Sequence, residues 1–118
     1  MKLSKFVTDD EVTILRISGK VISNYLDQLK SGLDSEIDEV ARKAHLIINL
    51  KNIKVIDSIS VGLFISRSRS VKKRGGKMLF CEPQLATREL FAMVDTENWL
   101  EVHSTEEQAL ITMRNGED

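Results

Sequence analysis

One cysteine, one proline, one tryptophan and one tyrosine occur in 118 residues, and aromatic residues as a whole make up only 5%. A lone thiol, Cys81, can form neither an intrachain disulfide nor a cysteine-based zinc site, so the chain reads as a protein of a reducing compartment, the cytoplasm. So few rings give no stacking platform for single-stranded nucleic acid. Charge of one sign is missing too: 17 basic residues face 18 acidic ones for a formal net charge of -1, which argues against a general affinity for phosphate backbones. No window approaches the ~18 consecutive apolar residues of a membrane span, and the opening MKLSKFVTDDEV has no apolar stretch of secretory length. His45 and His103 share no metal-ligand spacing with each other or with Cys81, so no metal site and no cofactor is implied.

What is present is enough to fold. Apolar residues supply 42% and charged ones 30%, a balance that suits one compact domain over residues 1–118. A strand around Leu3 to Val7 and the alternating run from Glu11 to Ser18, closed by Gly19, predict an opening hairpin with Thr8, Asp9 and Asp10 in its turn. Ser23 or Asn24 can cap a helix whose apolar positions Leu26, Leu29, Leu33, Ile37, Val40 and Ala41 recur at spacings of three and four. Ala44 to Leu50 is nearly continuous in apolar residues, as in a strand buried on both faces, and Lys51 to Ile56 reads as a connector. A helix then carries Leu63, Phe64, Ile65, Ser68, Val71 and Lys72 and stops at Gly75 and Gly76.

Lys77 to Glu82 repeats the short strand signal, and Pro83 starts a helix that buries Leu85, Leu90, Phe91 and Val94. Trp99, Leu100 and Val102 predict a last strand, and Ser104 with Glu107 a capping box for a final helix bearing Ala109, Leu110 and Met113. Phe91, Met93 and Trp99 are assigned to the core, and Cys81 is expected to be a small buried hydrophobe. Strands alternating with helices after a hairpin predict an α/β domain, a mixed and mostly parallel sheet of about five strands with about four helices.

The most informative point is the passage from Val55 and Ile56 into Asp57, Ser58, Ile59, Ser60, Val61 and Gly62. A serine where a helix begins lies among unpaired N–H groups at the positive end of the helix dipole, which would hold an added phosphate by about 0.3 to 1 kcal/mol. Phosphorylation of Ser58 would set roughly -1.5 to -2 charges beside Asp57 and could repel a partner. Helix capping by Asp57 and Ser58 is the commoner role for such residues and needs no partner. Ser60 ranks below Ser58 as an acceptor, because a hydroxyl further into the helix turns back to backbone or solvent.

The order of elements and the segments Ile14 to Gly19 (ILRISG), Leu46 to Leu50 (LIINL), Val55 to Ser58 (VIDS) with Gly62, and Gly75 to Cys81 (GGKMLFC) resemble the STAS domain of bacterial anti-sigma factor antagonists over nearly the whole chain. The resemblance implies a protein that captures an anti-sigma factor, itself a serine kinase of the ATP-binding type, and lets go when that kinase phosphorylates Ser58. A phosphatase could reset it. The partner-binding set it implies is Asp57, Ser58, Ile59, Ser60 and Gly62, with Ile22 and Ser23 on the neighbouring loop. Ile59 and Ser60 replace the family's Ser or Thr followed by Gly, and Ile22 stands where the family often has an acidic residue. These departures favour the alternative of a STAS-type scaffold or regulatory interaction module outside sigma-factor kinase control.

Two further readings come from the residues themselves. Ser66 to Lys77 holds Arg67, Arg69, Lys72, Lys73, Arg74 and Lys77 without an acid, as cations near a helix C-terminus commonly do, and it could also meet an acidic surface. An enzyme with Ser58 as nucleophile would need a base tied to it. Neither histidine is so placed, no Gly-x-Ser-x-Gly elbow exists, and Gly75-Gly76-Lys77 lacks the pattern of a phosphate loop. Binding, and not catalysis, is expected.

Overall fold

The computed structural model describes residues 1–37, 43–94 and 99–115. Strands β1 (Lys2–Val7) and β2 (Thr13–Val21) form the antiparallel hairpin, after which a 3-10 turn (Ser23–Tyr25) leads into α1 (Leu26–Ile37). Then come β3 (His45–Ile56), α2 (Ser58–Lys73), β4 (Lys77–Cys81), α3 (Leu85–Met93), β5 (Glu101–His103) and α4 (Glu106–Asn115). The sheet order is β1-β2-β3-β4-β5, and every pairing after the first is parallel. The expected fold class is therefore the observed one. Val40 and Ala41, expected on the first helix, fall outside the described residues.

The alternation of β3 divides the core. Leu46, Ile48 and Leu50 join Leu15, Ile17 and Phe80 beneath α1 and α2, where Leu29, Leu33, Val61 and Phe64 are buried. Ile47 turns to the opposite face with Ile14, Leu79 and Cys81, and α4 closes over them with Ala109 and Met113. A strand that is apolar at nearly every position is stable only between two such layers. Phe64 and Phe80 meet edge to face, ring centroids 5.3 Å apart, and lock α2 onto the middle of the sheet. Burial pushes the Cys81 thiol up to about 12, helped by the carboxylates of Glu82 and Glu106.

Several expectations are corrected. β2 does not stop at Gly19 but runs on to Val21, with a register irregularity at Gly19, whose φ is +91°. The same pairing turns Lys51 to Ile56 from a connector into the second half of β3, because β2 supplies its hydrogen bonds there while β4 pairs no further than Asn49. Leu85 stands 70% exposed, since the inner side of α3 runs through Thr87 and Phe91. Met93 is 81% exposed and Trp99 45%, so neither closes the core. Trp99 precedes β5, and Leu100 is the residue buried there. Thr105, one residue after the expected Ser104, caps α4 through a bond of 3.0 Å from the Gln108 N–H to its Oγ1. Glu82, at φ 57°, adds a second cap by accepting from the Glu106 N–H at 2.8 Å. The Glu106 carboxylate binds Arg16 and Asn49 in turn, which satisfies the one buried amide side chain of the sheet.

Candidate functional site

The carboxyl ends of β2 and β3 lie side by side, because Lys20 pairs with Val55 and Val21 with Ile56. The loops that leave those ends, Ile22 to Tyr25 and Asp57 to Ser58, therefore meet beyond the carboxyl ends of the strands, the place where parallel sheets commonly present their sites. The Asp57 N–H still donates to the Val21 carbonyl at 3.2 Å, which fixes where β3 ends.

Asp57 is the joint between the two loops. One carboxylate oxygen accepts from the Ser60 N–H at 2.9 Å and caps α2; the other accepts from the Ser23 N–H at 2.7 Å. Partial burial pushes this carboxyl up, but the hydrogen bonds from Ser60 and Ser23 prevail and hold it below the ordinary range. Asp57 is thus an anion at any physiological pH. Because its folded value is depressed, its contribution to stability is complete above the ordinary value of 3.8 and is lost as pH falls through the folded value. Asp57→Asn is accordingly expected to lose less stability than the wild type between about pH 7 and about pH 3, a difference read from urea midpoints at the two pH values.

Ser58 is the first residue of α2 and is exposed. The amides of Ser58 and Ile59 have no intrahelical partner, as at any helix start. Ile59 beside it is 55% exposed, a large aliphatic side chain in water next to the serine. Ser23 is exposed and Ile22 half-buried on the facing loop. Ser60 is corrected: it is 0% exposed, and its Oγ makes no hydrogen bond among the described residues, so it faces the core and not a partner. Ser23 does not cap α1 with its side chain either; its backbone N–H is given to Asp57, and no side chain caps the 3-10 turn.

Gly62 is exposed on α2, and a Cβ built there would meet nothing within 4 Å. No fold requirement explains a glycine in that helix interior, where it costs about 0.5 to 1 kcal/mol relative to alanine. Gly62→Ala is expected to raise stability by that amount, seen as a higher thermal midpoint. At about 100° per residue, Ser58, Gly62, Ser66, Arg69 and Lys73 share one side of α2. That side is exposed from end to end.

Of the expected set, the structure brings Asp57, Ser58, Ile59, Ile22 and Ser23 together and places Gly62 one turn further along α2. What sequence reading missed is the Asp57 to Ser23 bond and the exposed Tyr25 that follows on the same turn. Neither has a local signal, because the contact spans 34 positions in the chain. No group of three or more His, Cys, Asp or Glu that could hold a metal occurs among the described residues. No helix of the described residues is long and apolar enough to cross a membrane.

The family model of the STAS domain matches residues 5–109. A relative named anti-sigma F factor antagonist, from Paenibacillus polymyxa, is 25% identical over 99 residues, 84% of each chain. Another of that name, from Lysinibacillus sphaericus, is 25% identical over 104 residues, 88% of this chain and 87% of that one. The fold superposes on the anti-sigma factor antagonist SpoIIAA in its unphosphorylated form with a TM-score of 0.79 at 21% identity, covering 99% of this chain and 100% of that one. On the phosphorylated form of SpoIIAA from Bacillus the TM-score is 0.71 at 22% identity, with 96% and 100% covered.

Proposed function

The chain belongs to the STAS domain family, and from that premise we propose that it is an anti-sigma factor antagonist switched by phosphorylation of Ser58. The reading is supported by the relatives named for that activity and by one geometric observation, an exposed serine at the start of α2 beside a carboxylate held ionised. Unphosphorylated, the surface of Ile22, Ser23, Asp57, Ser58, Ile59 and Gly62 captures an anti-sigma factor and frees its sigma factor. That anti-sigma factor is also the kinase. The γ-phosphoryl group passes from ATP to the Ser58 oxygen, the hydroxyl proton leaves and ADP is released.

The dianion is tolerated by the helix start but not by the complex. It stands next to Asp57, and a partner surface that covers Ile59 would have to bury two anions at once, at a cost of several kcal/mol. A phosphatase that removes the group restores binding.

The test is incubation with Mg-ATP and an ATP-binding anti-sigma factor of the same organism, followed by intact mass measurement. One phosphoryl group is expected on the wild type and none on Ser58→Ala; a group retained in the variant overturns the assignment to Ser58. Exposed Ile59 and the missing carboxylate at Ile22 favour a second reading, a scaffold or regulatory module outside kinase control. Capture of partners with no phosphoryl transfer from any such kinase selects it.

A further inference from the structure

The fold divides the basic segment at the end of α2. Arg67 forks onto Asp34 of α1 at 2.7 and 3.2 Å, and Arg74 Nη1 donates to the Ile37 carbonyl at 3.0 Å. Arg69, Lys72 and Lys73 are exposed instead, and with Ser68 and Trp99 they line a shallow groove of about 400 Å³. The Arg69 guanidinium lies 4.6 Å from the centre of the Trp99 ring. No carboxylate is among the described residues that line the groove.

We infer that this groove is a docking site for an acidic polypeptide segment. Three cations on one face, with no acid among the described residues that line it, complement carboxylates. Tryptophan and arginine are the residue types that most often carry binding energy in protein interfaces. Here the tryptophan, the only one in the chain, is 45% exposed and serves no core. Its ring also holds the Arg69 guanidinium in place, so that less freedom is lost when the fork closes on a carboxylate. Lys72 and Lys73 add the long-range attraction that speeds encounter.

A nucleic acid fits less well. Stacking on successive bases needs several free ring faces. The groove has one ring, with Arg69 already over it, in a chain of net charge -1. The groove shares the exposed side of α2 with Ser58 but lies about three turns away, so the inference stands apart from the switch.

Because Trp99 is the sole tryptophan, its fluorescence reports this site alone. The full chain is titrated at low salt with a blocked ten-residue peptide of glutamates and alanines, with a lysine and alanine peptide and a ten-residue oligouridylate as comparisons. A saturable change is expected with the acidic peptide only, weakened by raised salt and about tenfold in Lys72→Gln/Lys73→Gln, a neutral pair of exposed substitutions. Ser58→Asp should bind the peptide as the wild type does. No saturable change, equal binding by the double variant, or tighter binding of the oligouridylate would overturn the inference.

Discussion

Ser58→Asp is expected to weaken capture of the anti-sigma factor by about thirtyfold or more, the ~2 kcal/mol of a residue at the centre of an interface, in a titration against the purified partner. The same substitution should leave the thermal midpoint within about a degree of wild type. An acidic residue in the first turn of a helix is favourable to the dipole, and Ser58 is exposed and buries nothing. Lost binding with an intact fold therefore isolates the added charge. Aspartate brings one negative charge where phosphate brings nearly two, so the effect is a lower bound on that of phosphorylation. Ser58→Ala keeps the unmodified surface and should bind as tightly as the wild type. If Ser58→Asp binds unchanged, the electrostatic account of release fails, whatever the kinase does.

Gly76→Ala is expected to cost about 3 kcal/mol or more and to lower the thermal midpoint by more than ten degrees, for a reason found at no other glycine among the described residues. Gly75 and Gly76 end α2 in a Schellman arrangement, with Gly75 N–H on the Lys72 carbonyl and Gly76 N–H on the Val71 carbonyl, both at 3.0 Å. Gly75 needs its glycine for φ, which is +82°. Gly76 needs it for space: a Cβ there would stand 2.3 Å from the Ala44 carbonyl oxygen and 2.9 Å from its nitrogen. Those are backbone atoms, and the same carbonyl accepts from the Lys77 N–H at 2.9 Å where β3 and β4 begin to pair. Relief of the clash means opening the central strands. Urea or thermal denaturation of the variant reads the loss directly.

Much of the architecture was legible because it is local. The run Leu46 to Leu50 is hydrophobic at every position but Asn49 and could only be a strand between two layers. Asp57 before a helical pattern signals a cap, and the paired glycines signal its end. The misread parts depend on neighbours distant in sequence. The polar residues Lys51, Asn52 and Lys54 hide a strand that exists because β2 passes Gly19 and keeps pairing. Thr105 wins over Ser104 as the α4 cap while Glu82, 24 residues upstream, satisfies the Glu106 amide. Leu85, Met93 and Trp99 look like core residues to any hydrophobicity rule, and their exposure is fixed only by how α3 and the turn before β5 settle. At the candidate site, the serine and its acidic neighbour were readable; the bond that ties them to Ser23 was not, since it is formed by a backbone amide that every residue but proline carries.

Cys81 gives the molecule a built-in recorder of its own opening. Sealed between the sheet and α4 and kept in the thiol form, it is closed to alkylating reagents until β4 and α4 part. The speed at which iodoacetamide consumes this single thiol therefore counts excursions of the helix behind the sheet. Any signal passing between Ser58 and that far layer would show itself as a change in that speed.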